Sequence, residues 1–134
     1  DNPLAKLSYQ QLDTFSNQIA RRLQDADIGA GTVVGVLSEH SLARTAGIIG
    51  VMKAQATCLP LEPALPVSYL AAMLNDDNIE VLLVHSELLS LTMQLAAIIS
   101  LEQGRRVVIQ TLDDSFENLR AYAGQPLAEV LAGQ

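Results

Sequence analysis

The sequence predicts an α/β fold: a three-layer αβα arrangement around a mostly parallel sheet of about four strands. Short apolar, β-branched runs recur at residues 33–37, 57–61, 81–84 and 106–110. Each is followed by a stretch with the periodicity or composition of a helix, long enough to return the chain to the same edge of a sheet. Strands alternating with helices form parallel βαβ units with right-handed crossovers. The 134 residues, 49% of them apolar, supply a core of one-domain size built from Leu, Ile, Val and Ala, since there are only three Tyr, two Phe and no Trp.

The elements follow in order. Residues 1–7 are polar, contain Pro3 and read as a lead-in. Ser8 with Gln11 three residues on makes a capping box, in which each side chain satisfies a backbone N–H of the first helical turn. Tyr9, Leu12, Phe15, Ile19 and Leu23 then recur at spacings of 3, 3, 4 and 4, the apolar face of a helix. Gln10, Asp13, Asn17, Arg21 and Gln24 fall on its wet side. The helix is expected to stop near Ala26, before Ile28-Gly29-Ala30-Gly31. Val33-Val34-Gly35-Val36-Leu37 has the continuous apolar character of a strand buried on both faces. Residues 38–41 form the loop at its C-terminal end.

Residues 42–52 are apolar nearly all round apart from Arg44 and Thr45, the mark of a largely buried helix. Gly47 and Gly50 weaken its propensity by about 1 kcal/mol each relative to Ala and leave room for a close neighbour. Residues 57–61 are the second strand. Pro60, Pro63 and Pro66 restrict its exit, and Pro66 suits the first position of the next helix. Tyr69, Leu70, Met73 and Leu74 give that helix its apolar face, and Asn75-Asp76-Asp77-Asn78 ends it. After the third strand, 81–84, Ser86 is the expected cap of a helix that runs to about Gln103 and stops at Gly104. The fourth strand, 106–110, centres on Val107-Val108-Ile109. Residues 113–122 read as a short helix or loop, and 127–131 as one last turn or two. The expected strand order is 2-1-3-4. With no internal repeat and no linker, residues 1–134 read as a single α/β domain.

Charge and composition exclude several roles. With 15 acids against 8 bases the net charge is −7, which disfavours nucleic acid and anionic membrane as partners, since both require a basic face. Cys58 is the only cysteine, so an internal disulfide is impossible and a reducing, cytoplasmic location is expected. The apolar stretch 88–101 is shorter than the roughly 20 residues that span a bilayer. No signal peptide is visible after Asp1, and the missing initiator Met points to a piece of a longer chain.

Two motifs carry a family resemblance. Leu7-Ser8-Tyr9-Gln10-Gln11-Leu12 resembles the first core motif, Leu-Thr/Ser-Tyr-x-Glu-Leu, of the adenylation domains of nonribosomal peptide synthetases, members of the acyl-adenylate-forming enzymes. Residues 52–66, Met-Lys-Ala-Gln-Ala-Thr-Cys-Leu-Pro-Leu-Glu-Pro-Ala-Leu-Pro, resemble their second, Leu-Lys-Ala-Gly-x-Ala-Tyr-x-Pro-Leu-Asp-Pro-x-x-Pro. Residues 17–23, Val34-Gly35-Val36-Leu37 and 81–84 are similar to the intervening helix and strands, so the likeness covers almost the whole chain. The departures fall on decorated positions: Gln55 stands for Gly, Cys58 for Tyr, Glu62 for Asp and Leu65 for Tyr. A left-handed residue is expected at Gln55, where a side chain costs roughly 1 kcal/mol.

The resemblance implies a location as well as an origin. The family's phosphate loop, Thr-Ser-Gly-Thr-Thr-Gly-x-Pro-Lys, its later acidic motif, its catalytic lysine and its amino-acid pocket all lie beyond the matching region. A complete parent domain would use ATP and Mg to make an aminoacyl-AMP and load a carrier protein. No cofactor is expected for this stretch alone, and no catalytic, cofactor-binding or metal-binding residue is assigned to it. The expectation is a truncated, non-catalytic adenylation domain serving as spacer or docking element. The alternative is the excised N-terminal part of an active one. Expected partners are neighbouring synthetase domains, the rest of the domain, or a second copy of the chain through exposed apolar surface.

Sharper readings of single residues are weaker. Gly29-x-Gly31 precedes a strand, whereas a dinucleotide fingerprint follows one, so it reads as a turn. His40-Ser41 and His85-Ser86 lie past strand C-termini, where such sheets bind ligands, but neighbours in sequence are not a nucleophile–base pair and no orienting third residue is evident. Lys53 reads as structural at a helix C-terminus. Cys58 reads as a small core residue. Asp76-Asp77 and Asp113-Asp114 lack the alternating spacing of a cation loop and read as solvated ends of elements.

Overall fold

The structure, a computed structural model, describes residues 9–39 and 41–112. The expected lead-in, the capping box at Ser8 and the elements at 113–122 and 127–131 lie outside the described residues. Within them the chain forms α1 (Tyr9–Asp25), β1 (Val33–Leu37), α2 (Leu42–Lys53), β2 (Thr57–Leu61), α3 (Val67–Asp76), β3 (Val81–Val84), α4 (Leu89–Gln103) and β4 (Val108–Thr111). A 3-10 turn, Ser86–Leu88, leads into α4.

The four strands form one parallel sheet in the order β2-β1-β3-β4, as expected. The side-chain alternation of each strand feeds two separate cores. Val34, Val36, Val81 and Leu83 point to one face and pack with Phe15, Ile19 and Leu23 of α1 and Val51 of α2. Leu37, Leu61, Leu82 and Val84 point to the other and pack with Leu70 and Leu74 of α3 and Leu95 and Ile99 of α4. The sheet is thus covered on both faces, which explains why β1 and β3 are apolar at nearly every position.

Three helices turn into their strands by the same device. At the end of α1, Asp27 takes φ +62°, its N–H donates to Gln24 O (2.9 Å), and Ile28 N–H donates to Leu23 O (2.8 Å). At the end of α2, Gln55 takes φ +68°, with N–H bonds from Gln55 to Met52 O and from Ala56 to Val51 O. At the end of α3, Asn78 takes φ +54°, with bonds from Asn78 to Asn75 O and from Ile79 to Leu74 O. This is the Schellman pairing, and the residue after each left-handed position is apolar and shares a core with the residue five before it. The left-handed residue expected at Gln55 is therefore present, and two more were not anticipated at Asp27 and Asn78.

Gly47 and Gly50 answer to close approach. A Cβ on Gly50 would stand 2.6 Å from Ile19 Cγ2 and 3.0 Å from Ser16 O, so α1 lies directly on α2 there. A Cβ on Gly47 would stand 2.8 Å from Leu112 Cδ2.

Some expectations shift. Tyr69 is exposed, because the sheet-facing arc of α3 is Leu70, Ala71 and Leu74, and Tyr69 lies about 100° round the helix from Leu70. Tyr9 is exposed at the start of α1. Pro66 stands one position before the first helical residue of α3. The fourth strand starts at Val108, not Arg106, because the Arg105 guanidinium donates to Leu74 O and Ile79 O (both 2.8 Å) and ties the preceding residues to the end of α3. Ladder pairing begins where Val108 N–H donates to Glu80 O.

Among the described residues β2 is an outer strand of the sheet. Thr57 N–H donates to Thr32 O on the β1 side, so by alternation the nitrogen of Pro60 faces outward, where no ladder bond is lost.

Candidate functional site

The strand order reverses between β1 and β3, and in such sheets the crevice beyond the strand C-termini at that point is the default ligand site. The loop after β1 and the turn after β3 meet there: His85 N–H donates to Leu37 O at 3.2 Å. Among the described residues, Ser38, Ser41 and His85 at this edge hydrogen-bond to the backbone. Ser38 is buried and its Oγ donates to Glu39 O. Ser41 is the N-cap of α2, its Oγ accepting from Arg44 N–H at 3.2 Å. His85, not Ser86, is the cap of the 3-10 turn: its Nδ1 accepts from Glu87 N–H at 3.2 Å. The helix proper begins after Leu88 with no side-chain cap. His40 and Asp113-Asp114 lie outside the described residues.

An ion pair unforeseen in the sequence closes the same edge toward β2. Arg44 in the first turn of α2 donates through Nη2 to Glu62 Oε1 (2.9 Å), just past the end of β2. The Arg44 side chain is mostly buried and Glu62 is not. Glu62 is one of the positions at which the second motif departs from its pattern. The Glu that stands there carries the carboxylate that Arg44 bonds.

Cys58 is half-buried in β2 against the α1/α2 core. Burial pushes its thiol up to about 11, with the positive charge of Arg44 pulling the other way. A thiol so placed is almost wholly protonated near neutrality and is a poor nucleophile.

Lys53 crosses from the end of α2 to α1. Its ammonium donates to Asp13 Oδ1, to Ser16 Oγ (2.8 Å) and to Asn17 Oδ1 (2.8 Å). Asp13, Ser16 and Asn17 share one face at i, i+3 and i+4, a pattern legible in the sequence but easily taken for solvated surface. The Lys53 hydrogen bond, followed by its charge, holds the Asp13 carboxyl below its ordinary value.

The Gly29-x-Gly31 stretch is a turn. Gly31 takes φ +89° and Thr32 N–H closes the turn onto Gly29 O at 3.0 Å. An open depression of about 290 Å³ lies beside it, lined by residues including Gln24, Asp27, Gly29 and Gln55. It faces the N-terminal edge of the sheet, away from the switch point. Asp76 ends α3 and Asp77 is its C-cap. Among the described residues no group of three or more His, Cys, Asp or Glu could hold a metal ion, and no helix is long and apolar enough to cross a membrane.

Comparison with known proteins agrees with this architecture. The pattern of the family described as AMP-binding enzyme matches residues 2–130. Surfactin synthase subunit 3 of Bacillus subtilis (strain 168) is 45% identical over 82 residues, which are 61% of this chain and 6% of that protein. Zwittermicin A synthase ZmaJ of Bacillus cereus is 37% identical over 83 residues, 62% of this chain and 16% of that protein. The chain thus spans only a small part of the relatives it matches. Among solved structures, the nonribosomal peptide synthetase FmoA3 bound to α-methyl-L-serine-AMP superposes with a TM-score of 0.66 at 22% identity, over 83% of this chain and 12% of that one. The anthranilate CoA ligase AuaEII with anthranoyl-AMP superposes with a TM-score of 0.68 at 21% identity, over 83% of this chain and 22% of that one.

Proposed function

The chain belongs to the AMP-binding enzyme family, and on that premise we propose that it is a non-catalytic adenylation element of a nonribosomal peptide synthetase, acting as spacer and docking surface between neighbouring parts of the assembly line. One observation carries this reading. Among the described residues, the side chains able to do chemistry at the switch point are engaged within the chain: Ser41 and His85 cap helical turns, and Arg44 bridges to the Glu62 carboxylate. A group whose lone pair or charge is committed to a cap is not poised for substrate. Calorimetric titration of the 134-residue chain with Mg-ATP is the test. No heat above dilution is expected, and saturable binding would sink the reading.

A second reading has its own support, the 45% identity to a segment of surfactin synthase subunit 3. In it the same residues are the structural N-terminal part of an active adenylation domain, which joins an amino acid to AMP and passes it to a carrier-protein thiol. Amino-acid-dependent pyrophosphate exchange by the complete encoded polypeptide separates the two. Exchange that disappears when residues 1–134 are deleted supports the second.

A further inference from the structure

We draw no further inference here: the strongest candidate, the open depression beside the Gly29-x-Gly31 turn at the N-terminal edge of the sheet, is lined by polar side chains, Gln24, Asp27 and Gln55, that all stand exposed to solvent, and nothing in the structure shows what would fill it.

Discussion

The ammonium of Lys53, the last residue of α2, is held by the carboxylate of Asp13 on α1, forty residues earlier in the chain. With Ser16 and Asn17 it staples the two helices at the point where Gly50 brings them together. Lys53→Met keeps the aliphatic stem and removes the charge. It is expected to lower stability by about 1 kcal/mol, a typical value for partly exposed hydrogen bonds, measured by urea unfolding at pH 7.

The same staple has a pH signature. Because Lys53 depresses the folded-state ionisation of Asp13, the contribution is fully present above the ordinary carboxyl value of 3.8 and is lost as pH falls through the lowered one. Unfolding curves of the unaltered chain and Lys53→Met should therefore differ somewhat more at pH 7 than at pH 2, the Ser16 and Asn17 hydrogen bonds keeping a difference at both. Solvent screening keeps the carboxylate's share small, since Asp13 is largely exposed. A difference that stays constant down to pH 2 would leave no share to the carboxylate and place the effect in packing and the Ser16 and Asn17 hydrogen bonds.

Gln55 holds φ +68°, a conformation that is costly for any residue with a Cβ. Gln55→Gly is expected to stabilise the fold by about 1 kcal/mol, offset in part by the freer unfolded chain. Asp27→Gly should act in the same direction, and Asn78→Gly less, since Asn tolerates the left-handed region. Chemical denaturation of the three variants ranks them.

Gly50→Ala should destabilise in spite of better helix propensity. The new methyl meets Ile19 and the backbone of Ser16 below or at the limit of contact. Overpacking of this kind costs about 1–3 kcal/mol, against about 1 kcal/mol gained from propensity. Gly47→Ala meets the tip of Leu112, which can turn aside, and should cost less. Thermal melts of both variants decide the order.

Cys58 should alkylate slowly. A thiol pushed up from 9.0 to about 11 holds roughly a hundredfold less thiolate at pH 8 than an unperturbed one. Iodoacetamide labelling followed by mass spectrometry should accelerate by at least about tenfold in urea. Equal rates in buffer and urea would contradict the burial of this side chain.

β1 and β3 were legible because burial on both faces leaves a continuous apolar signature, and β2, only partly buried, was still marked at its observed bounds by Cys58, Leu59 and Leu61. The fourth strand drifted because Arg105, which reads as a surface charge, is spent on carbonyls 31 and 26 residues earlier. Periodicity carries no trace of such a contact. The same limit hid Arg44–Glu62 and Lys53–Asp13: Asp13 reads as wet surface and Lys53 as a helix-end charge, and only the fold brings each pair within reach. His85 took the capping role expected of Ser86 because the turn tightens into a 3-10 geometry before α4 begins. Gln55 takes the left-handed position that the resembling pattern fills with glycine, because the turn out of α2 requires that backbone conformation whichever residue stands there.

Pro60 has a consequence beyond its own strand. With its nitrogen turned outward it breaks the row of donors along the outer rim of β2. An incoming strand from another molecule would find a gap where it needs a hydrogen bond, which disfavours strand addition along this rim.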